Sequence, residues 1–356
     1  LGNLGNLGNL GNLGNLGNLG KQDVHAPIRP NSILQLNSKP TATGRPCLAA
    51  PTHSDATLKA ACPQGPQGIS ARIHHLFKKP PAMQIAAIQM VSGSDVASNL
   101  ATAARLLQQA ADQGAELAVM PEYFCLMGHS DQDKLAIAEA PGHGPIQDFL
   151  REAARQNGLW LAGGTLPLQS QPDDQPDHPG QPASASPQRA YNSTLVYNPH
   201  GEQVARYDKM HLFRFANGRE VYDESAALLH GATPVAFNLP SRDGHTWRIG
   251  LSICYDLRFP ELYRTLAADL LLVPSAFTHT TGQAHWEVLL RARAIENLAY
   301  LAAPAQGGQH SNGRRTWGQT LIASPWGEIL AQHHTGEGVV LAECDWHTLQ
   351  QRRKQL

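Results

Sequence analysis

The sequence predicts an α/β fold on three observations. From Met83 onward, short apolar runs alternate with runs whose apolar residues recur at helical spacing. Three polar residues suited to chemistry stand just beyond apolar runs, where α/β sheets place their sites. Two stretches, NPHGEQVARY and SPWGEILAQH, repeat one turn pattern and point to two similar halves.

The chain has 356 residues, and the pattern does not begin at once. It opens with six copies of Leu-Gly-Asn and a Leu-Gly, a composition poor in helix and strand formers. Residues 21–82 are rich in Pro, Ser, Gly, Gln and His, without a sustained apolar period. The expectation is a disordered low-complexity tail over 1–82 and one catalytic domain over 83–356. The chain begins with Leu, and Met83 stands where the ordered pattern starts, so the tail is expected to be a non-native extension. Cys47 and Cys62 fall in it and are no candidates for chemistry.

MQIAAIQM reads as a strand, SNLATAARLLQQAADQGA as a helix stopped by Gly114, and ELAVM as a second strand. GPIQDFLREAARQNG is a second helix ending in Gly, and LWLAGGTLPL a third strand. This alternation predicts parallel strands in an α/β layer. The Pro-rich stretch 170–188 predicts a surface loop. YNSTLVY and EQVARYD then flank a turn with Pro199 and Gly201, as TLIAS and EILAQ flank Pro325-Trp326-Gly327. WEVLLRARAIENLAY reads as an amphipathic helix with Val288, Leu289, Ala292 and Ile295 at core spacing. VVLAECD is a final strand, with Cys344 as packing.

Composition excludes several classes. Lys+Arg and Asp+Glu balance at 28 against 29, which argues against nucleic acid or an anionic membrane held by bulk charge. No apolar run approaches the ~18 residues of a membrane span. Five separated cysteines without a CxxC make a disulfide framework or zinc knuckle a poor reading and suit a reducing, cytoplasmic setting. No HExxH, GxxxxGK[ST] or helix-opening GxGxxG occurs, so neither a metal nor a nucleotide cofactor is expected. Asn192-Ser193-Thr194 fits a glycosylation sequon and reads as coincidence.

Glu122 follows AVMP, Lys209 follows VARYD and Cys254 follows WRIGLSI. A cysteine is more often a packed core thiol than a nucleophile. It becomes a nucleophile when a base takes its proton and a cation or dipole stabilises the charge. Glu122 suits the base. Lys209, with three donors, suits an oxyanion, and the N–H of Tyr255 suits a second donor. Alternatively, each is a solvated or structural residue. His211, His279, His285 and His310 would allow a Cys–His arrangement, but with 17 histidines in the chain their placement carries little weight. Arg258 could anchor a substrate carboxylate or pair with Asp256 or Glu261. Tyr123 and Phe124 could be pocket walls or core, and Cys125 reads as buried and inert.

MPEYF, YDKMHLF and SICYDLRFPELYR, in that order, resemble the three motifs of the nitrilase superfamily of carbon–nitrogen hydrolases. The resemblance covers the chain from about Met83 to its end. It implies Glu122 as general base, Lys209 as the oxyanion-side lysine, Cys254 as nucleophile and Glu224, in YDES, as a glutamate supporting them. It also implies an α-β-β-α sandwich, usually dimerised through a helical face, with no metal or cofactor. The downstream stretches TGQAHWEVLLRARAIENLAYLAAPAQ and RRTWGQTLIASPWGEILAQ are similar to the branch containing deaminated glutathione amidase. Ser324 and His230 stand where that branch commonly has Asp and Pro. The implied function is hydrolysis of a small carboxylate-bearing amide through a thioester, with release of ammonia. A nitrile, an N-carbamoyl amino acid or an ω-amide are alternative substrates, and a non-catalytic dimeric scaffold is the alternative class.

Overall fold

The computed structural model describes residues 82–130, 132–170, 189–216, 218 and 221–356. The tail up to Pro81, with Cys47 and Cys62, and the insertion from Gln171 to Gln188 lie outside the described residues. In chain order the strands are β1 (Met83–Gln89), β2 (Leu117–Val119), β3 (Trp160–Ala162), β4 (Leu166–Gln169), β5 (Ala190–Tyr197), β6 (Gln203–Asp208), β7 (Arg214–Ala216), β8 (Val221–Asp223) and β9 (Leu228–Leu229). There follow β10 (Ala236–Pro240), β11 (Thr246–Leu251), β12 (Leu270–Leu272), β13 (Tyr300–Ala303), β14 (Gly307–Gln309), β15 (Arg315–Trp317), β16 (Thr320–Ala323), β17 (Ile329–His333) and β18 (Gly338–Cys344). The α-helices are α1 (Val96–Asp112), α2 (Gln132–Ala136), α3 (Pro145–Asn157), α4 (Pro260–Leu266), α5 (His279–Asn297) and α6 (Trp346–Gln355).

Alternation along β1 sets the layers. Met83, Ile85 and Ala87 face a core shared with Leu239, Trp247 and Ile249 of the second sheet. Ala86 and Ile88 face the opposite way, onto Leu106 and Leu107 of α1 and Leu150 of α3. Beyond the second sheet, Leu262 and Leu266 of α4 and Trp286 and Leu290 of α5 close the core. The order is helices, sheet, sheet, helices, which is the expected α-β-β-α sandwich. Each fully buried Leu in these layers contributes roughly 1.5–3 kcal/mol relative to exposure.

Among the described residues the first sheet runs β18-β1-β2-β3-β5-β4, with β6 and β9 pairing β5, and the second runs β10-β11-β12-β13-β16-β17. β1, β2 and β3 are parallel, as are β11, β12 and β13. The two expected hairpins are present, β5 with β6 and β16 with β17, both antiparallel. Helix ends follow local chemistry: Asp95 accepts the Ser98 N–H at the start of α1, and Gly158 closes α3 in the left-handed region.

Two expectations need correcting. LWLAGGTLPL is two strands, broken at Gly163-Gly164. Gly164 has φ 60°, and a Cβ there would lie 2.2 Å from the Pro121 carbonyl. The break therefore lets this turn press against the segment carrying Glu122. The core stripe of α5 is also different. Trp286, Leu290, Arg293 and Ala294 are buried, whereas Val288 and Ile295 are 69% and 46% exposed. Leu289 only packs against the core edge. Arg293 earns its buried place through Nε on the Leu257 carbonyl (3.0 Å) and Nη1 on Glu296 (3.0 Å).

Candidate active site

Each of the two parallel triplets delivers one candidate group from the loop after a strand. β2 leads into Glu122, and β11 leads into a 3-10 turn that starts at Cys254. Cys254 has φ 49°, a costly conformation for a side chain with a Cβ. The surroundings enforce it. The Cys254 N–H donates to the Pro274 carbonyl (2.9 Å), and Asp256 accepts the Ile253 N–H (2.8 Å). Asp256 also accepts the Tyr207 hydroxyl (2.7 Å) and the backbone N–H of His211 (3.0 Å), and lies 2.7 Å from His211 Nδ1. Tyr207 and His211 flank Lys209, so one buried carboxylate ties the Cys254 turn to the lysine.

Lys209 lies directly beyond β6 and is fully buried. Its Nζ donates to Glu122 Oε1 (2.9 Å) and to Glu224 Oε2 (2.8 Å) and Oε1 (3.1 Å). Gly231 gives its loop room: a Cβ there would sit 2.2 Å from the Asp208 carbonyl, and its N–H donates to the Lys209 carbonyl. Glu122 is fixed at both oxygens. Oε1 also accepts Asn192 Nδ2 (2.9 Å), and Oε2 accepts the Ala276 N–H (2.8 Å). Glu122, Lys209 and the Ala276 N–H all lie near enough to the Cys254 thiol to act on its ionisation.

The electrostatics follow from these contacts. Burial pushes the Cys254 thiol up, Glu122 adds to the shift, and Lys209 opposes it. The upward shift wins, so the resting state is a thiol, not a thiolate. Burial alone would lower the Lys209 pKa, but Glu122 and Glu224 outweigh it and raise it well above the ordinary lysine range. Burial opposes ionisation of Glu224, yet Lys209 and Lys134 override it and hold that carboxyl at about 2. Glu224 also accepts the Tyr123 hydroxyl (2.6 Å) and the Phe213 N–H (2.8 Å).

Glu122, Glu224 and Cys254 line one cleft of about 280 Å³, with Phe213, Tyr255, Phe277 and Arg314 among its walls. The four residues singled out as catalytic or supporting thus come together. The three candidate substrate contacts divide. Tyr255 lines the cleft. Arg258 lies over the rings of Tyr255 (5.8 Å) and Phe277 (5.6 Å) and 3.2 Å from His285 Nδ1. Asp256, one proposed ion-pair partner of Arg258, is instead bound to Tyr207 and His211. Tyr123 is not among the cleft's lining residues, and its hydroxyl donates to Glu224. Phe124 and Cys125 are core residues. His211 and His310 are engaged elsewhere, the latter between the Ser92 carbonyl (2.8 Å) and Thr316 (2.7 Å).

The family model for carbon-nitrogen hydrolases matches residues 84–354. The chain belongs to the carbon–nitrogen hydrolase family. This carbon–nitrogen hydrolase is 39% identical over 277 residues to the deaminated glutathione amidase of a Synechocystis species, covering 76% of this chain and 94% of that protein. It is 37% identical over 276 residues to the deaminated glutathione amidase of Mus musculus, covering 76% of this chain and 80% of that one. Among solved structures it is similar to a Saccharomyces cerevisiae member of branch 10 of the nitrilase superfamily, with TM-score 0.65, 26% identity, and coverage of 78% of this chain and 94% of that chain. It is also similar to an amidase from a Nesterenkonia species with acrylamide added at the active-site cysteine, with TM-score 0.60, 27% identity, and coverage of 77% and 97%.

Four contributors escaped the sequence reading. Asn192 stood out only as a sequon, yet it is buried and holds Glu122. Ala276 acts through its backbone, which no side-chain pattern reveals. Lys134 lies on the short helix α2 and Arg314 just before β15, both outside the three motifs.

Proposed function

We propose that the protein hydrolyses the C–N bond of a small carboxylate-bearing amide through a thioester on Cys254, with deaminated glutathione as the best-supported substrate. The observation that carries this reading is that Cys254 and Glu122 line one cleft while the buried Lys209 ammonium donates to Glu122 behind it. The relatives named deaminated glutathione amidase support the substrate.

The Glu122 carboxylate takes the thiol proton as sulfur attacks the amide carbon, forming the S–C bond. Charge moves onto the carbonyl oxygen, beside the Lys209 ammonium and the Tyr255 N–H. Collapse breaks the C–N bond while Glu122 returns the proton to the departing nitrogen. Water then loses a proton to Glu122 and attacks the thioester. The C–S bond breaks, the acid leaves, and the proton returns to sulfur. Glu224 holds Lys209 in place and leaves Glu122 as the mobile-proton carboxylate. General acid–base transfer of this kind contributes roughly 10²–10⁴-fold, and an oxyanion donor about 10²–10³-fold. A primary amide releases ammonia by this route. Deaminated glutathione, split at its non-peptide γ-amide, releases the amino group of a dipeptide.

The test is turnover by the full chain and by Cys254→Ala. The panel is deaminated glutathione, an ω-amide of a 2-oxo dicarboxylic acid, an N-carbamoyl amino acid and a nitrile, with both ammonia and amine measured. The reading expects the first substrate to be preferred and all turnover to vanish in the variant. Turnover that survives Cys254→Ala would refute the covalent route, and preference for a nitrile or carbamoyl compound would refute the substrate.

A homodimer follows from the same reading. Val288 and Ile295 of α5 form an exposed apolar face with Trp326 and Leu330, and Arg291 Nε on the Gly327 carbonyl (2.8 Å) holds helix and hairpin together. A second copy would cover that face. Val288→Asp is expected to shift the mass measured by light scattering from dimer to monomer. A cytoplasmic setting, which keeps the Cys254 thiol reduced, fits the chemistry. No helix among the described residues is long and apolar enough to cross a membrane.

A further inference from the structure

A second hollow, of about 730 Å³, borders on Arg314, which also lines the catalytic cleft. Met127, His129, Lys134, Tyr222 and Asn312 contribute to its walls. Among the described residues its lining contains two cations and a histidine and no carboxylate. Asp133, next to Lys134 in sequence, turns into its own loop and accepts the N–H groups of His129 (2.8 Å) and Ser130 (3.3 Å). The catalytic cleft has the opposite character, since Glu122 and Glu224 both line it. A substrate carboxylate would be repelled there and attracted next door.

Arg314 is poised between the two. Its Nη2 donates to the Ala276 carbonyl (3.3 Å), its Nη1 lies 3.7 Å from Met127 Sδ, and its guanidinium lies 5.1 Å from the Tyr222 ring centre. Its Nε is buried without a hydrogen-bond partner. An unpaired buried donor is costly unless something arrives to accept from it. Lys134 is buried in the same wall, 4.0 Å from the centre of the Tyr123 ring. Ala276 links this wall to the chemistry: its carbonyl holds Arg314, and its N–H holds Glu122. Glu122 is the group that delivers a proton to the departing nitrogen. One residue thus connects Arg314, at the border of the second hollow, to Glu122.

We infer that the second hollow is a leaving-group subsite, in which Arg314, in a wall that also carries the charge of Lys134, binds a carboxylate carried by the departing amine, as at the C-terminus of a short peptide. This rests on the amidase reading above and narrows it to amides whose nitrogen side is itself anionic. Arg258, beside Tyr255 and Phe277, is left for a carboxylate on the acyl side. A planar guanidinium with free donors suits a carboxylate by two parallel hydrogen bonds.

The test compares three substrates with one acyl group in the full chain: deaminated glutathione, the same molecule with its glycine carboxylate capped as an amide, and the simple ω-amide. The readout is the ratio of kcat/KM for the free over the capped peptide, which is internal to each protein and insensitive to loss of folded material. The expectation is a ratio of at least tenfold in the wild type, near one in Arg314→Gln and reduced in Lys134→Gln. A ratio undiminished in Arg314→Gln overturns the subsite. Turnover of the simple amide without either peptide also overturns it, while leaving the amidase reading intact. Silence on all three contradicts the amidase reading and removes the subsite with it.

Discussion

Cys125 and Cys254 are both buried thiols in loops that follow a strand, and their surroundings differ in kind. Cys125 is 1% exposed, packs among Phe124, Leu126 and Ile146, and its Sγ finds only the Thr165 carbonyl at 3.8 Å. Burial pushes its pKa up to about 12. Cys254 is 7% exposed, opens onto the cleft, and is raised too, but Glu122 and Lys209 act on it. Burial therefore does not distinguish the two thiols. The difference is a carboxylate and an ammonium near Cys254, which the proposed reaction uses as base and oxyanion donor. The reactivity expected of Cys254 is that of a thiol deprotonated during attack, rather than a thiolate waiting in the resting state.

The sharpest break of this comparison is exchange of each sulfur. Cys254→Ala is expected to lower kcat by at least about 10⁴-fold, whereas Cys125→Ala stays within roughly threefold. Initial rates on deaminated glutathione measure both. Next comes the base. Glu122→Gln keeps the shape and removes the proton acceptor, so kcat should fall about 10³-fold. An activity equal to that of the wild type would move the base elsewhere.

Glu224→Gln should cost less, about 10- to 100-fold, because Glu224 acts through Lys209. It has a second signature. Its folded pKa of about 2 lies below the ordinary 4.5, so its contribution to stability is complete above about 4.5 and fades as pH falls towards 2. The variant should show a shallower loss of stability across that window in denaturant titrations. The smallest effect belongs to the inert thiol. Cys125→Ala removes one buried sulfur and should lower unfolding stability by about 1–2 kcal/mol with the cleft unchanged.

The comparison also marks what the sequence can say. The alternation from Met83 exposed β1, α1, β2 and α3, because one-sided burial imposes periods of two and 3.6. The residues that meet at the cleft, Glu122, Lys209 and Cys254, were legible at strand ends because α/β folds open their clefts there. The support around them was not. Asn192 looks like a surface sequon until β5 buries it, and Ala276 contributes an amide that every residue has. The face of α5 was misassigned because apolar residues occur on both of its sides. Trp286 and Leu290 pack inward, while Val288 and Ile295 face out. A periodic pattern fixes the existence of a helix more firmly than the side it turns to the core.

The central claim is that acyl transfer passes through Cys254 and no other sulfur. The direct measurement is acid quench of the full chain during steady turnover of deaminated glutathione, followed by intact mass and peptide mapping. The account predicts a mass increase equal to the acyl group, carried on the peptide containing Cys254 and absent from Cys254→Ala. An adduct on Cys125, or continued turnover by Cys254→Ala with no adduct anywhere, would contradict it.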